Sequence, residues 1–226
     1  MKKFILAIIL FSGLAVQAQK KIQKEIKFQE QPVEVDLALA NSIEFKTWNK
    51  SLIQVDASVE TEDPQDAERY ELEVREESGG IRIVSNSEKI FKDKECGELV
   101  INRTNEVDLN YVIYVPEDIQ LEVSSIIGNV TSEYLKGDIE INLVTGNINI
   151  IKFEGDLDLR TVTGKISLPA KDSSFKATTV MGKIRAADDL KVEKKDQFLG
   201  EEIALHLKGS KNRLNLKTVT GDIFLQ

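Results

Sequence analysis

The sequence predicts an all-β fold: a single-stranded parallel β-solenoid, β-helix-like, with coils of about 18 residues. The coils are expected to be regular over residues 115–226 and irregular before them. Three observations predict this: a nine-residue glycine period, an 18-residue repeat of the text, and a two-residue apolar alternation nested inside both. No helical stripe competes across the C-terminal half.

At the N-terminus, Lys2 and Lys3 precede an apolar run from Phe4 to Val16, and Val16 and Ala18 place small residues at the −3 and −1 positions. This is the layout of a secretory signal peptide over residues 1–18, with cleavage after Ala18. The run is shorter than the ~20 residues a spanning helix needs. No cysteine follows it, so no lipid anchor on a new N-terminal cysteine is expected. Residues 19–226 are read as one exported β-solenoid domain, periplasmic or at the cell surface or secreted.

The N-terminal half alternates or runs apolar at Val33–Leu39, Ile43–Thr47, Leu52–Val59, Tyr70–Val74, Ile81–Val84, Leu99–Ile101 and Val107–Val115. These segments are rich in β-branched residues and read as strands. The acidic stretch Glu60–Glu68 reads as an exposed loop, with Pro64 and Pro116 at turns or strand edges. This half is expected to form irregular early coils of the same solenoid, a separate small β domain being the alternative.

The regular half carries the repeat. Glycines fall at 128, 137, 146, 155, 164, 182, 200 and 209 in one nine-residue phase, which holds eight of the thirteen glycines. Ser125-Ile-Ile-Gly128-Asn-Val, Leu143-Val-Thr-Gly146-Asn-Ile, Thr161-Val-Thr-Gly164-Lys-Ile and Thr179-Val-Met-Gly182-Lys-Ile recur at 18. The unit returns as Thr218-Val-Thr-Gly221-Asp-Ile, three residues out of phase, which implies an insertion near Gly200–Asn212. Apolar residues sit two and usually four places after each phase glycine, as in Ile148 and Ile150 or Ile166 and Leu168. Polar residues alternate with them, as a strand with one buried face requires. Stacked in parallel, residues 18 apart should form inward ladders: Ile139, Leu157 and Phe175; Val144, Val162 and Val180; Ile148, Ile166 and Ile184. A hexapeptide helix fails, since stepping by six from Val144 meets Ile150 and then Asp156. The final strand from Asp222 to Gln226, bearing Phe224, is expected to leave an open edge for docking or self-association, unless the segment around Lys20–Glu30 covers it.

The run Val-Pro-x-x-Ile-x-Leu-x-Val at 115–123, followed by recurrent Thr-Val-Thr-Gly-(Asp/Asn/Lys)-Ile units after a signal peptide, resembles the bacterial putative-adhesin family of unknown function, sometimes called the toastrack domain. The resemblance covers about residues 33–226. It implies a β-helical exported domain, and the family offers no established catalytic residues to carry over.

Charge and residue counts exclude several functions. The formal net charge is −8, and about −10 without Lys2 and Lys3, which disfavours nucleic acid and anionic lipid surfaces. Cys96 is the lone cysteine, so no intramolecular disulfide forms; its thiol reads as inert or on a loop, intermolecular pairing being the alternative. Asp138 and Asp156 follow phase glycines one coil apart, but Ser174 holds the next place and a calcium ion wants six to eight oxygens. They read as turn residues. His206 is the sole histidine, in an alternating strand, and reads as solvent-facing. Trp48 is the one candidate sugar-stacking residue, and otherwise closes the first coil. Lys165 and Lys183, with Asn129 and Asn147, should stack at one corner, as solvated turn residues or as an anion-binding edge. No catalytic, cofactor or metal residue is assigned, and no ligand is named. The expected function is therefore an exported, non-enzymatic, adhesin-like surface or periplasmic binding module acting on an unknown envelope protein or glycan. The alternative is a cell-envelope scaffold or sensory partner, and a polysaccharide-active β-helix enzyme stands behind both.

Overall fold

The computed structural model describes residues 18–62, 64–87, 90, 107–195 and 199–226. The first part of the chain forms β1 (Ala18–Lys27), β2 (Val33–Asp36), β3 (Leu39–Trp48), β4 (Leu52–Thr61), a short helix α1 (Pro64–Arg69), β5 (Glu71–Glu77), β6 (Gly80–Asn86) and β7 (Val107–Pro116). Then follow β8 (Ile119–Ser132), β9 (Leu135–Thr145), β10 (Ile148–Ile150), β11 (Phe153–Thr163), β12 (Ile166–Leu168), β13 (Ser173–Met181) and β14 (Ile184–Ala186). The chain closes with β15 (Glu193–Lys195), β16 (Glu201–Leu205), β17 (Asn212–Thr220) and β18 (Ile223–Leu225). Residues 1–17, which carry most of the signal-like segment, Cys96 and the strand expected at Leu99–Ile101 lie outside the described residues. Within Glu60–Glu68 the expected loop contains α1 instead. Pro64 sits at its first position, where the missing N–H costs nothing, and Ala67 is buried beneath it.

All described strands belong to one hydrogen-bonded network that folds into two arcs. The first arc runs β5, β6, β2, the N-terminal part of β8, β9, β11, β17, β13, β16, β15. The second runs β1, β4, β7, β3, the C-terminal part of β8, β10, β12, β18, β14. The inner faces of the arcs meet in a core of Ile, Leu, Val and Phe. Ile139, Ile141, Leu157, Leu159, Leu214 and Leu216 come from the first arc, and Ile148, Ile150, Ile166, Leu168, Ile223 and Leu225 from the second. The N-terminal strands share this hydrogen-bonding network with the regular repeats.

Three expectations need correction. The sheet is mixed: β1–β4, β4–β7, β5–β6, β13–β16 and β15–β16 are antiparallel, so the chain is not a single-stranded parallel solenoid throughout. Parallel coils occupy the middle, and antiparallel strands flank them.

The coils are also not stacked in chain order. The C-terminal pair β17–β18 inserts between β11–β12 and β13–β14, with Leu157 beside Leu214 and Leu214 beside Phe175. Ile166 faces Ile223, which in turn faces Ile184. The ladders of residues 18 apart therefore break after Leu157 and Ile166, because a later rung with the same side chains fills the space. The three-residue shift at Thr218 accompanies this return, after the chain has run out through β15 and β16.

The third correction follows from the second. The strand holding Phe224 is paired on both sides, by β12 and β14, so it offers no open edge and no self-association surface. The segment around Lys20–Glu30 covers no part of it. Its strand, β1, lies at the other end of the second arc, against β4. Among the described residues, β5 at one end of the first arc is charged, Glu-Leu-Glu-Val-Arg-Glu-Glu, and β1 at one end of the second is rich in lysine. Such edges discourage pairing with other chains. The short β14 is closed by the Glu201 carboxylate, which accepts from the Ile184 N–H at 2.8 Å and from Lys183 Nζ at 2.9 Å.

Candidate functional site

The repeated Thr-Val-Thr-Gly text forms the corner where each coil passes from the first arc to the second. Its first position points inward. Thr161 Oγ1 donates to Gly146 O at 3.0 Å, Thr218 Oγ1 to Gly164 O at 3.2 Å and Thr179 Oγ1 to Gly221 O at 2.9 Å, so each hydroxyl satisfies the carbonyl of a neighbouring rung. Ser125 plays the same part toward Leu37 O at 2.6 Å. The glycine is required by close approach. Gly164 has φ +156°, and a Cβ there would lie 1.9 Å from Gly146 O; at Gly221, φ +149°, it would lie 1.9 Å from Gly164 O. The residue after the glycine ties rung to rung. Asn129 Oδ1 accepts from Asn147 N at 3.0 Å, Asn147 Oδ1 from Lys165 N at 2.9 Å, and Asp222 Oδ1 from Lys183 N at 2.9 Å.

Between threonine and glycine the alternation fails, and two successive side chains face solvent. This overturns the expected inward ladder of Val144, Val162 and Val180, which are 49, 46 and 42 % exposed. With Ile126 and Val219 they form one exposed row across five adjacent rungs, in the order Ile126, Val144, Val162, Val219, Val180, as the flanking register pairs dictate. A second exposed row, Ile127, Thr145, Thr163, Thr220 and Met181, lies beside it. On the other side stands a polar row on the outer face of the first arc: Asp36, Ser124, Asn142, Arg160, Lys217 and Thr178. Between the polar row and the valine row runs a groove of about 630 Å³, which Leu143, Thr161 and Thr218 also line. In its wall, Arg160 is held by Glu140 at 2.8 Å and by Asp158.

The residues singled out from the sequence fall elsewhere. Asp138 and Asp156 are in register on adjacent rungs. The next rung is Arg213, not Ser174, and the Asp156 carboxylate accepts from Arg213 N and Nε, both at 3.1 Å. Among the described residues no three His, Cys, Asp or Glu side chains converge as metal ligands. His206 lies exposed just past β16, on the lining of a second cavity of about 580 Å³. Ser174, on the same lining, commits its hydroxyl to the backbone of Leu207, donating to the carbonyl at 3.2 Å and accepting from the N–H at 3.0 Å.

Trp48 ends β3 and so closes the first coil. Its ring stacks on Tyr114 with centroids 4.8 Å apart, Lys50 Nζ lies 4.3 Å from its centroid, and Nε1 donates to Leu52 O at 2.9 Å. Lys165 and Lys183 do not stack, because Asp222 stands on the rung between them. The exposed valine row is what the sequence reading missed. The one available signal was that Val-Thr, then Gly, then a polar residue breaks the two-residue alternation.

No family model and no curated protein matches the chain. Among solved structures, a "putative cell adhesion protein" of Clostridium sporogenes is similar, with TM-score 0.56 and 11 % identity over 92 % of this chain and 98 % of that one. A "putative adhesin" of Bacteroides fragilis aligns with TM-score 0.33 and 12 % identity over 92 % of this chain and 97 % of that one. A "putative lipid binding protein" of Parabacteroides distasonis aligns with TM-score 0.33 and 10 % identity over 91 % of this chain and 96 % of that one. At such identity the first likeness shows the shared fold.

Proposed function

We propose that this chain is an exported, non-enzymatic, adhesin-like binding module whose binding surface is the corner groove. The exposed row Ile126, Val144, Val162, Val219 and Val180 carries the reading. Single exposed apolar residues are ordinary, whereas a contiguous exposed apolar strip is a common mark of an interaction site. The row contributes little to the core, so its recurrence in rung after rung fits a role at the surface. Support for export comes from Lys2, Lys3 and the apolar run that ends in Val16-Gln-Ala18. Among the described residues no helix is long and apolar enough to cross a membrane. The fold shared with the Clostridium sporogenes protein agrees with a binding role.

The test uses residues 19–226, wild type and a Val162→Asp/Val219→Asp double variant, against bacterial envelope material separated into glycan, protein and lipid fractions. Wild type should be retained by at least one fraction, the variant should bind about tenfold more weakly, and polysaccharide substrates should release no new reducing ends. Equal retention of both proteins, or release of reducing ends, would overturn the reading. The N-terminal residue of protein recovered from the culture, read by mass spectrometry, tests export: Gln19 is expected, and retention of Met1 in the cytoplasm contradicts it.

A further inference from the structure

We propose that the corner groove takes one extended alkyl chain with an anionic head group, the chemistry shared by a long-chain fatty acid and a monoacyl phospholipid. The proposal rests on the binding-module reading and names its ligand class. Shape comes first. The apolar row crosses five rungs spaced ~4.8 Å apart, so it offers about 19 Å of continuous hydrocarbon surface, room for an extended chain of roughly sixteen carbons. The groove volume of about 630 Å³ lies within the ordinary range for small-ligand sites.

The lining decides between occupants. Its surface is mostly the methyl groups of valine and isoleucine, with Leu143 and the threonines beside them. The backbone beneath is already paired from rung to rung, through Thr161 with Leu143 and Thr218, and Thr218 with Thr179. A peptide strand laid across these rungs would lie on side chains over strands that already have neighbours on both sides, not along an open strand edge, and would bury its own amides unmatched. An alkyl chain has no such groups to satisfy. A second copy of the protein would need about 800 Å² per partner, a broad face and not a single narrow groove.

Charge places the head group. Lys217 stands in the polar wall beside the row, in register between Arg160 and Thr178. Arg160 is engaged by Glu140 and Asp158, whereas Lys217 makes no ion pair among the described residues. An exposed ammonium beside an apolar groove matches a carboxylate or phosphate at the end of an alkyl chain.

Isothermal titration of residues 19–226 tests the proposal with four probes: palmitate, monopalmitoyl phosphatidic acid, hexadecyl maltoside and hexanoate. Palmitate should bind with one molecule per protein, and hexanoate at least about tenfold more weakly, because it covers fewer rungs. Val162→Asp/Val219→Asp should remove palmitate binding while keeping a cooperative melt, and Val162→Ser/Val219→Ser, which adds no charge, should weaken palmitate at least about tenfold. Lys217→Gln should weaken palmitate by about tenfold and leave hexadecyl maltoside unchanged. Binding of only one of the two anionic probes supports the proposal and identifies the head group. Absence of wild-type binding to either anionic probe, wild-type affinity in either double variant, or a valine-dependent dimer in sedimentation would each overturn it. If groove-dependent retention on envelope fractions persists while neither anionic probe binds, the alkyl ligand is wrong and the binding-module reading stands. If both are lost, both fall.

Discussion

Adjacent residues in one corner have opposite environments. Ile166 is fully buried between Ile148 and Ile223, while Lys165 beside it is exposed. Ile166→Asp would bury a carboxylate without a partner, at a cost of several kcal/mol, about 4 or more. Lys165→Asp should shift stability by less than about 0.5 kcal/mol. Paired thermal melts check this, and equal midpoints would show that the inward face is misassigned. Gly164→Ala should be severe as well, about 3 kcal/mol or more, because the new Cβ would meet a backbone oxygen that other rungs hold in place. A melt within about 0.5 kcal/mol of wild type would mean the corner can open. The glycine was legible in the text through its period. The exposure of the neighbouring valine was not, because apolar composition alone does not reveal on which side of a bend a side chain emerges.

The β17–β18 pair is the element on which the stacking order turns. It fills the slot between β11–β12 and β13–β14, with Leu214, Leu216, Ile223 and Leu225 all in the core. Ending the chain after Ser210 would leave two pairs of facing strand edges unpaired, β11 with β13 and β12 with β14, and a rung-sized void in the core, each among the costliest defects a sheet can carry. The truncated protein should therefore lose its cooperative melt and bind a dye that reports exposed apolar surface. A native-like transition would mean that β13 closes directly onto β11, the order the 18-residue spacing suggests. That spacing alone could not reveal the insertion. Thr161-Val-Thr-Gly164, Thr179-Val-Met-Gly182 and Thr218-Val-Thr-Gly221 are close to interchangeable in shape, so either order buries the same side chains.

The described residues are mostly strand, with helix at the six residues of α1 and at Ile90. Circular dichroism of residues 19–226 should accordingly report less than about a tenth helix, far below the usual share of a globular domain. A helical fraction above about a quarter would contradict the fold. The core also carries a pH response. The hydroxyls of Tyr70 and Tyr111 lie 2.8 Å apart in the interior. Burial raises the pKa of both phenols, and for Tyr70 the facing hydroxyl of Tyr111 raises it further. The unfolded phenols ionise near about pH 10, so their contribution to stability is complete below that pH and is lost progressively above it. The Tyr70 and Tyr111 phenolates, read as the absorbance difference between wild type and a Tyr70→Phe/Tyr111→Phe variant, should appear only as the fold is lost. Ionisation of this pair near about pH 10 with the fold intact would refute this.

By itself, the sequence determined the local geometry of this protein: strands, glycine corners, the buried face wherever the two-residue alternation holds, and an all-β fold. These follow from nearest-neighbour rules, since alternation sets the buried face and a close backbone approach demands glycine. Val33–Leu39, Leu52–Val59 and Val107–Val115 were readable for that reason. Only the tertiary structure decided which rung lies beside which, where antiparallel strands close the stack, and that the valine row faces solvent. Those outcomes depend on contacts between segments far apart in the chain. Near-identical rungs make the competing orders almost equal in local energy, so the choice among them rests on how the whole stack closes.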